Sequence, residues 1–139
     1  MKIAVSATQS DNLDANIDPR FGRCEYFIII DSDTMNFESV PNASTNSVGG
    51  AGIGAAQLVI NKGAEVVLTG NCGSNAFMTL ESGGIKVILG VQGTIRKAVE
   101  AFLAGKLSSP AAAPNVLVHS GLSPVKNMRK GGGMRQRRP

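Results

Sequence analysis

Three short, almost wholly apolar segments constrain this chain most: Ile3-Ala4-Val5, Val66-Val67-Leu68 and Val87-Ile88-Leu89. A strand with one wet face alternates apolar and polar side chains, whereas a strand covered by helices on both faces is free of that alternation. These segments therefore read as central, parallel strands over Lys2 to Ser6, Glu65 to Thr69 and Ile85 to Leu89. Two further strands, Tyr26 to Asp31 and Thr34 to Val40, are separated only by Ser32-Asp33. That link is too short for a crossover, so the pair must be an antiparallel hairpin. Polar Thr34, Asn36 and Glu38 alternate with Met35 and Phe37, which places the outer strand at a half-exposed edge.

Helical patterns fill the gaps. Ile53, Ala56 and Ile60 mark one face of a helix from Ala51 to Asn61, stopped by Lys62-Gly63. A short helix follows from Ser74 to Glu81 and is closed by Gly83-Gly84. A third has Thr94 as N-cap, an apolar stripe at Ile95, Val99, Phe102 and Leu103, and Gly105 just past its end. The stripes read as core packing. After Leu107 two prolines and then a Gly- and basic-rich run argue for an extended, largely disordered tail, so the expected organisation is an α/β domain over 1–107 and a tail over 108–139.

Charge follows the same division. Of the 14 Lys and Arg residues in the 139-residue chain, six lie between Lys126 and Pro139, leaving eight in the body against all ten acidic residues. The net charge of +4 is therefore a property of the tail. With no Trp and one Tyr, the body carries no aromatic and basic stripe, which makes nucleic acid an unlikely partner. Two cysteines 48 positions apart make neither a disulfide framework nor a zinc motif. No signal-peptide layout opens the chain and no apolar run approaches the roughly 18 residues of a membrane span, so a cytoplasmic protein with reduced thiols is expected.

The chemistry concentrates in Asp18-Pro19-Arg20-Phe21-Gly22-Arg23-Cys24, two guanidinium groups and a thiol beside a rigid turn. Arg stays charged and offers a fork of donors; Cys can supply a thiolate; the pair suits an anionic or metal-bearing ligand. With the first strand running upward, this segment, the Pro41 to Gly50 loop, Gly70-Asn71-Cys72-Gly73-Ser74 and Gly90-Val91-Gln92-Gly93 all emerge at the top edge. Open α/β sheets bind ligands there, because helix N-termini aim amides at that edge. Cys72 precedes the short helix, whose dipole would favour a thiolate. There is no Walker A sequence and no complete dinucleotide fingerprint. One arginine ~6 Å from an anion contributes roughly 3 kcal/mol per unit charge at an effective dielectric of ~20. Two arginines fall short of the ~8 kcal/mol of micromolar binding after ordering costs, so backbone amides or metal–thiolate bonds are also required.

Four ordered motifs carry a family resemblance: Ile17 to Arg23 with Tyr26-Phe27; Gly50-Ala51-Gly52-Ile53 with Ala55-Ala56-Gln57; Thr69-Gly70-Asn71 with Gly73 and Asn75-Ala76-Phe77; and Gly84-Ile85-Lys86-Val87. Over about residues 1–107 the chain resembles the dinitrogenase iron-molybdenum cofactor biosynthesis family. The resemblance implies a three-layer α/β/α fold with a five-stranded mixed sheet similar to the ribonuclease H-like motif. It also implies a small nitrogenase-accessory type of binding or carrier protein for an anionic metal-sulfur cluster. Members of the family carry iron-molybdenum cofactor or its iron-sulfur precursors, and orange protein-like members hold a molybdenum-copper sulfide cluster; a protein that donates or accepts the cluster would be the partner. For such a ligand Arg20 and Arg23 would neutralise charge and the backbone around Gly50, Gly52, Asn71, Gly73 and Gly93 would bond sulfide or oxo groups; Cys24 and Cys72, at positions where many relatives have other residues, are conditional metal ligands. Ser74 stands where relatives often have Pro, the Gly131 to Met134 tail lacks the histidines of some relatives, and His119 lies outside the shared motifs. No His or paired carboxylate accompanies the thiols, so no catalytic constellation is expected. Two other readings remain at this level: an interaction or scaffold module, and an enzyme on a phosphorylated or nucleotide substrate using Asp11, Asp14 and Asp18.

Overall fold

The computed structural model describes residues 1–9, 12–43 and 50–107. Eight elements follow in the order β1 (Lys2–Ala7), β2 (Tyr26–Asp31), β3 (Phe37–Pro41), α1 (Ala51–Asn61), β4 (Val66–Leu68), α2 (Ser74–Ser82), β5 (Lys86–Ile88) and α3 (Ile95–Leu103). The sheet order is β3-β2-β1-β4-β5. β1, β4 and β5 are parallel, while β2 lies antiparallel to both β1 and β3. This is the five-stranded mixed sheet that the sequence implied.

Alternation along the strands divides the core into two layers. Ala4, Phe27, Ile29, Val67 and Val87 face α1 and α2, where they meet Ala55, Ala56, Val59, Ala76, Phe77 and Leu80. Ile3, Val5, Ile28, Ile30, Val66, Leu68 and Ile88 face the opposite way and pack on Ile95, Ala98 and Val99 of α3. Because successive side chains point to opposite faces, an apolar run with no polar member is what a strand between two helical layers requires. The tail after Leu107, with His119, and the segments Ser10-Asp11 and Ser44 to Gly49 lie outside the described residues.

The hairpin departs from expectation. β3 begins at Phe37 rather than Thr34, and Ser32 to Asn36 form the turn. Side chains build it: Asp31 Oδ1 accepts from Asp33 N at 2.9 Å and Thr34 Oγ1 from Asn36 N at 3.2 Å. Such local bonds compete with the ladder. Met35 consequently leaves the strand, adopts φ 62° and packs against the α3 layer.

Two close approaches set the shape of the top edge. A Cβ on Gly70 would stand 2.9 Å from Pro19 Cα, and one on Gly22 would stand 3.0 Å from Gly52 Cα. The first distance is shorter than real side chains show and the second is tighter than nearly all of them, so both glycines let the loop after β1 lie down on β4 and α1. We expect Gly22→Ala and Gly70→Ala each to lower the free energy of unfolding by about 1–3 kcal/mol, the range for overpacking. Equilibrium urea denaturation measures this; midpoints equal to that of the parent chain would show that the contacts are dispensable.

Candidate functional site

The loop after β1 is a strap across the top edge, bonded down along its length. Ile17 N donates to Gly93 O at 2.9 Å, Asn71 N to Pro19 O at 2.7 Å, and Phe21 N to Asn71 O at 3.2 Å. Below it, Ser6 Oγ donates to Asp18 O at 2.6 Å and shares a hydrogen bond with Thr69 Oγ1 at 2.7 Å, both hydroxyls being buried. Phe21, 1% exposed, anchors the strap in the core with its ring centroid 5.1 Å from that of Phe27. From the end of β3, the buried Asn42 amide donates to Gly22 O at 3.2 Å and Cys24 O at 2.9 Å, fixing the turn that presents Arg23.

Arg20 of the strap is held in an ion pair. Arg20 Nη2 and Nε donate to the two carboxylate oxygens of Asp18 at 3.1 and 3.2 Å, and Arg20 N donates to Asp18 Oδ1 at 2.9 Å. Asp18 is 2% exposed, and its hydrogen bond and charge raise the Arg20 pKa further above its ordinary value. Arg20 is thus half of an ion pair, and its contribution to a neighbouring anion is largely offset. Arg23 is exposed and lines a cleft of about 270 Å³ with Gly22, Gly50–Ile53, Gly73, Asn75 and Ala76.

Two helix N-termini meet at that cleft. α1 begins after Gly50, held at φ 73°, and α2 after Gly73; neither N-cap residue has a side chain to accept from the first turn. The helix ends come together because their contact is made of small residues: a Cβ on Gly52 would lie 3.0 Å from Ala76 Cβ. The third helix end is different. Thr94 Oγ1 accepts from Lys97 N at 3.3 Å, while Ile95 N and Arg96 N donate to Ala15 O and Leu13 O of the strap. Its first-turn amides are satisfied within the fold, whereas the first turns of α1 and α2 line the cleft where Arg23 stands. Each N-terminus acts as roughly half a positive charge, so two of them supply about what Asp18 withdraws from Arg20.

The expected site residues therefore do not all share one place. Arg23, Gly50, Gly52 and Gly73 come together in this cleft. Arg20 and Asn71 line an adjoining recess with Phe21, Gly22 and Gly73. Gly93 lies apart, in a larger cleft with Asn16, Ile17, Pro19, Gly70, Asn71 and Gly90 to Gln92. Cys24 and Cys72 are 0% and 1% exposed and belong to the core layer under the edge. Burial pushes the Cys24 thiol up to about 12, with the charge of Asp18 adding and the Asn42 amide opposing; burial also pushes Cys72 up to about 12. The thiolate expected at the start of α2 is thus disfavoured, because desolvation outweighs the helix dipole. Among the described residues, no group of three or more His, Cys, Asp and Glu side chains is placed to hold a metal ion. Asp14 is paired with Arg96 at 3.0 Å, Asp18 with Arg20, and Asp11 lies outside the described residues. Among the described residues, no helix is long and apolar enough to cross a membrane.

Comparison with known proteins bears on the edge as a whole. The family model described as dinitrogenase iron-molybdenum cofactor matches residues 1–105. The chain belongs to this family. The apo form of the orange protein from Desulfovibrio gigas superposes with a TM-score of 0.79 at 46% identity, covering 82% of this chain and 95% of that one. A NifB-like protein from Thermotoga gives 0.67 at 34% identity, over 78% and 91%. An uncharacterised protein of Methanocaldococcus jannaschii is 32% identical over 110 residues, 77% of this chain and 89% of its own. The family match ends within two residues of the last described residue, so the strap, the paired helix ends and both cysteines all fall inside it.

Asp18 and Asn42 organise the site without having been singled out for that role by the sequence. The Asp-x-Arg spacing of residues 18 and 20 was the available signal, since an Asx turn places that carboxylate on the amide and guanidinium two residues on. The raised thiol values have a measurable consequence. Above the unfolded thiol value near 9 the unfolded chain loses protons that the folded chain keeps, so stability is full below pH 9 and falls as pH rises from about 9 toward 12. Cys24→Ala should flatten part of that alkaline limb in urea titrations at stepped pH; a limb of equal slope in the variant would show that Cys24 ionises freely in the folded protein.

Proposed function

We propose that this protein binds and carries an anionic metal-sulfur cluster of the iron-molybdenum, iron-sulfur or molybdenum-sulfide kind, at the cleft between the N-termini of α1 and α2. The observation that supports it is the convergence of two glycine-capped helix ends with Arg23 on one opening. Amides and a guanidinium suit sulfide and oxo ligands, which are large, polarisable acceptors carrying distributed negative charge. Family membership and likeness to an orange protein solved in its apo form support the same class of ligand.

The site favours electrostatic retention over covalent ligation as the resting mode. Cys24 and Cys72 lie beneath the cleft as neutral thiols, and a metal bond to either requires deprotonation and displacement of core contacts. The first-turn amides of Ala51 to Ile53 and Ser74 to Ala76 hold the cluster, and Arg23 closes over its outer charge. Arg20, tied to Asp18, positions the strap and not the cargo. Such a protein accepts a cluster from one partner and yields it to another, and weak thiolate character at the site suits release. No catalytic step is assigned to it.

Anaerobic reconstitution with iron, sulfide and molybdate, followed by native mass spectrometry of the full chain, tests the reading. The expected result is a retained mass increment that Arg23→Ala diminishes about tenfold or more, corresponding to the loss of roughly 1.5–3 kcal/mol for one charge-assisted contact. Retention should also fall as salt rises. An apo mass under every combination of components, or an increment indifferent to Arg23→Ala and abolished by Cys24→Ala with Cys72→Ala, would overturn it.

A further inference from the structure

A second cleft lies elsewhere on the same edge. Its volume is about 490 Å³, inside the roughly 300–1,000 Å³ range of small-molecule sites. Three loops frame it: Asn16 to Pro19 after β1, Gly70-Asn71 after β4, and Gly90 to Gly93 after β5. It sits where the connectivity divides. From β1 the chain passes to β2 on one side of the sheet, while β4 leads to β5 on the other. The crevice between the carboxyl ends of two such strands is the ligand position of open α/β sheets.

The lining chemistry differs from that of the Arg23 cleft. No charged side chain takes part, and Arg20 is turned away to Asp18. The polar groups are three carboxamides, Asn16, Asn71 and Gln92; Ile17, Pro19 and Val91 supply the apolar surface. A carboxamide sets a donor beside an acceptor, the pairing that matches the edge of a nucleobase. Gly90 and Gly93 hold φ values of 74° and 94°, and a Cβ at either would meet nothing within 4 Å, so the turn is open to a ligand along its backbone. The short recess at Arg20 and Asn71 joins this cleft to the anion cleft through the shared residues Asn71, Gly22 and Gly73.

We infer that the 490 Å³ cleft is a second binding site, for an uncharged nitrogen heterocycle of the nucleobase type presented as a nucleoside. The class follows from neutrality combined with paired donors and acceptors. A carboxylate or phosphate ligand finds no cation in the lining, and a purely apolar ligand makes no use of the Asn16 and Gln92 carboxamides. With no aromatic side chain among its lining residues, the cleft offers no stacking platform for a polynucleotide, so a single nucleoside is the fitting occupant. The inference is independent of cluster binding, since the residues that carry it, Asn16 and Gln92, do not line the Arg23 cleft.

Amide-detected NMR of the full chain, titrated separately with adenosine, guanosine, cytidine and uridine to about 10 mM, tests it. At least one nucleoside should shift the signals of Asn16, Asn71 and Gln92, side-chain amides included, and of Gly90 to Gly93. The double variant Asn16→Ala with Gln92→Ala should weaken that binding about tenfold or more, the loss of two hydrogen-bonding groups. The same variant should keep a dispersed spectrum and full retention of a reconstituted cluster, which separates this inference from the reading of the Arg23 cleft. No shift at these positions with any of the four nucleosides overturns it, as does binding that maps to Arg23 and the α1 terminus or is unchanged in the double variant.

Discussion

The contact of Gly22 with Gly52, and of Gly52 with Ala76, is the constraint on which the top edge depends. Helix axes ordinarily pack at about 8–10 Å, a spacing set by the side chains between them. Removing those side chains at the first turns of α1 and α2 lets two helix ends and a loop backbone occupy one small area. Loops can carry function only when a rigid frame positions them. Here the frame is the parallel strands β1, β4 and β5, each ending at the same edge, and the glycines convert that common ending into a cleft.

Charge at the edge follows from what the fold leaves paired. Of three helix N-termini directed upward, α3 is consumed by Thr94 and by carbonyls of the strap, and α1 and α2 are glycine-capped. Of two arginines in the strap, Arg20 is neutralised by a buried carboxylate and Arg23 is directed to the cleft. The edge is thereby divided into an anion-favouring half around Arg23 and an uncharged half around Gln92, with the Arg20–Asp18 pair between them. Asp18 serves three ends at once: its backbone carbonyl ties down Ser6, its carboxylate orders the turn, and its charge cancels that of Arg20.

Much of this was legible in the sequence, for identifiable reasons. The unbroken apolar runs at Ile3–Val5 and Val66–Leu68 fit a doubly covered sheet, and Thr94 announces its cap by residue type and position. The start of β3 was not legible, because the Asp31 and Thr34 side chains win local bonds that a strand pattern does not display. In the site, the convergence of loops at one edge could be read from connectivity alone. The division of Gly93 from Gly50, the neutralisation of Arg20 and the depth of Cys24 and Cys72 could not, since each depends on which groups meet across sequence separations that carry no local signature. Glycine is ambiguous in the same way: Gly52 serves close packing and lines one cleft, while Gly90 makes a left-handed turn and lines the other.

In the function proposed above, the α1 and α2 ends, and not the thiols or α3, meet the anionic cargo. Amide-detected NMR of the full chain with tetrathiomolybdate, a diamagnetic metal-sulfur dianion, tests it most directly. The largest shifts should fall on the amides of Ala51 to Ile53 and Ser74 to Ala76 and on Arg23, with Ile95 to Lys97 unmoved. Shifts concentrated on the α3 terminus, or a spectrum unchanged at both glycine-capped ends, would contradict it.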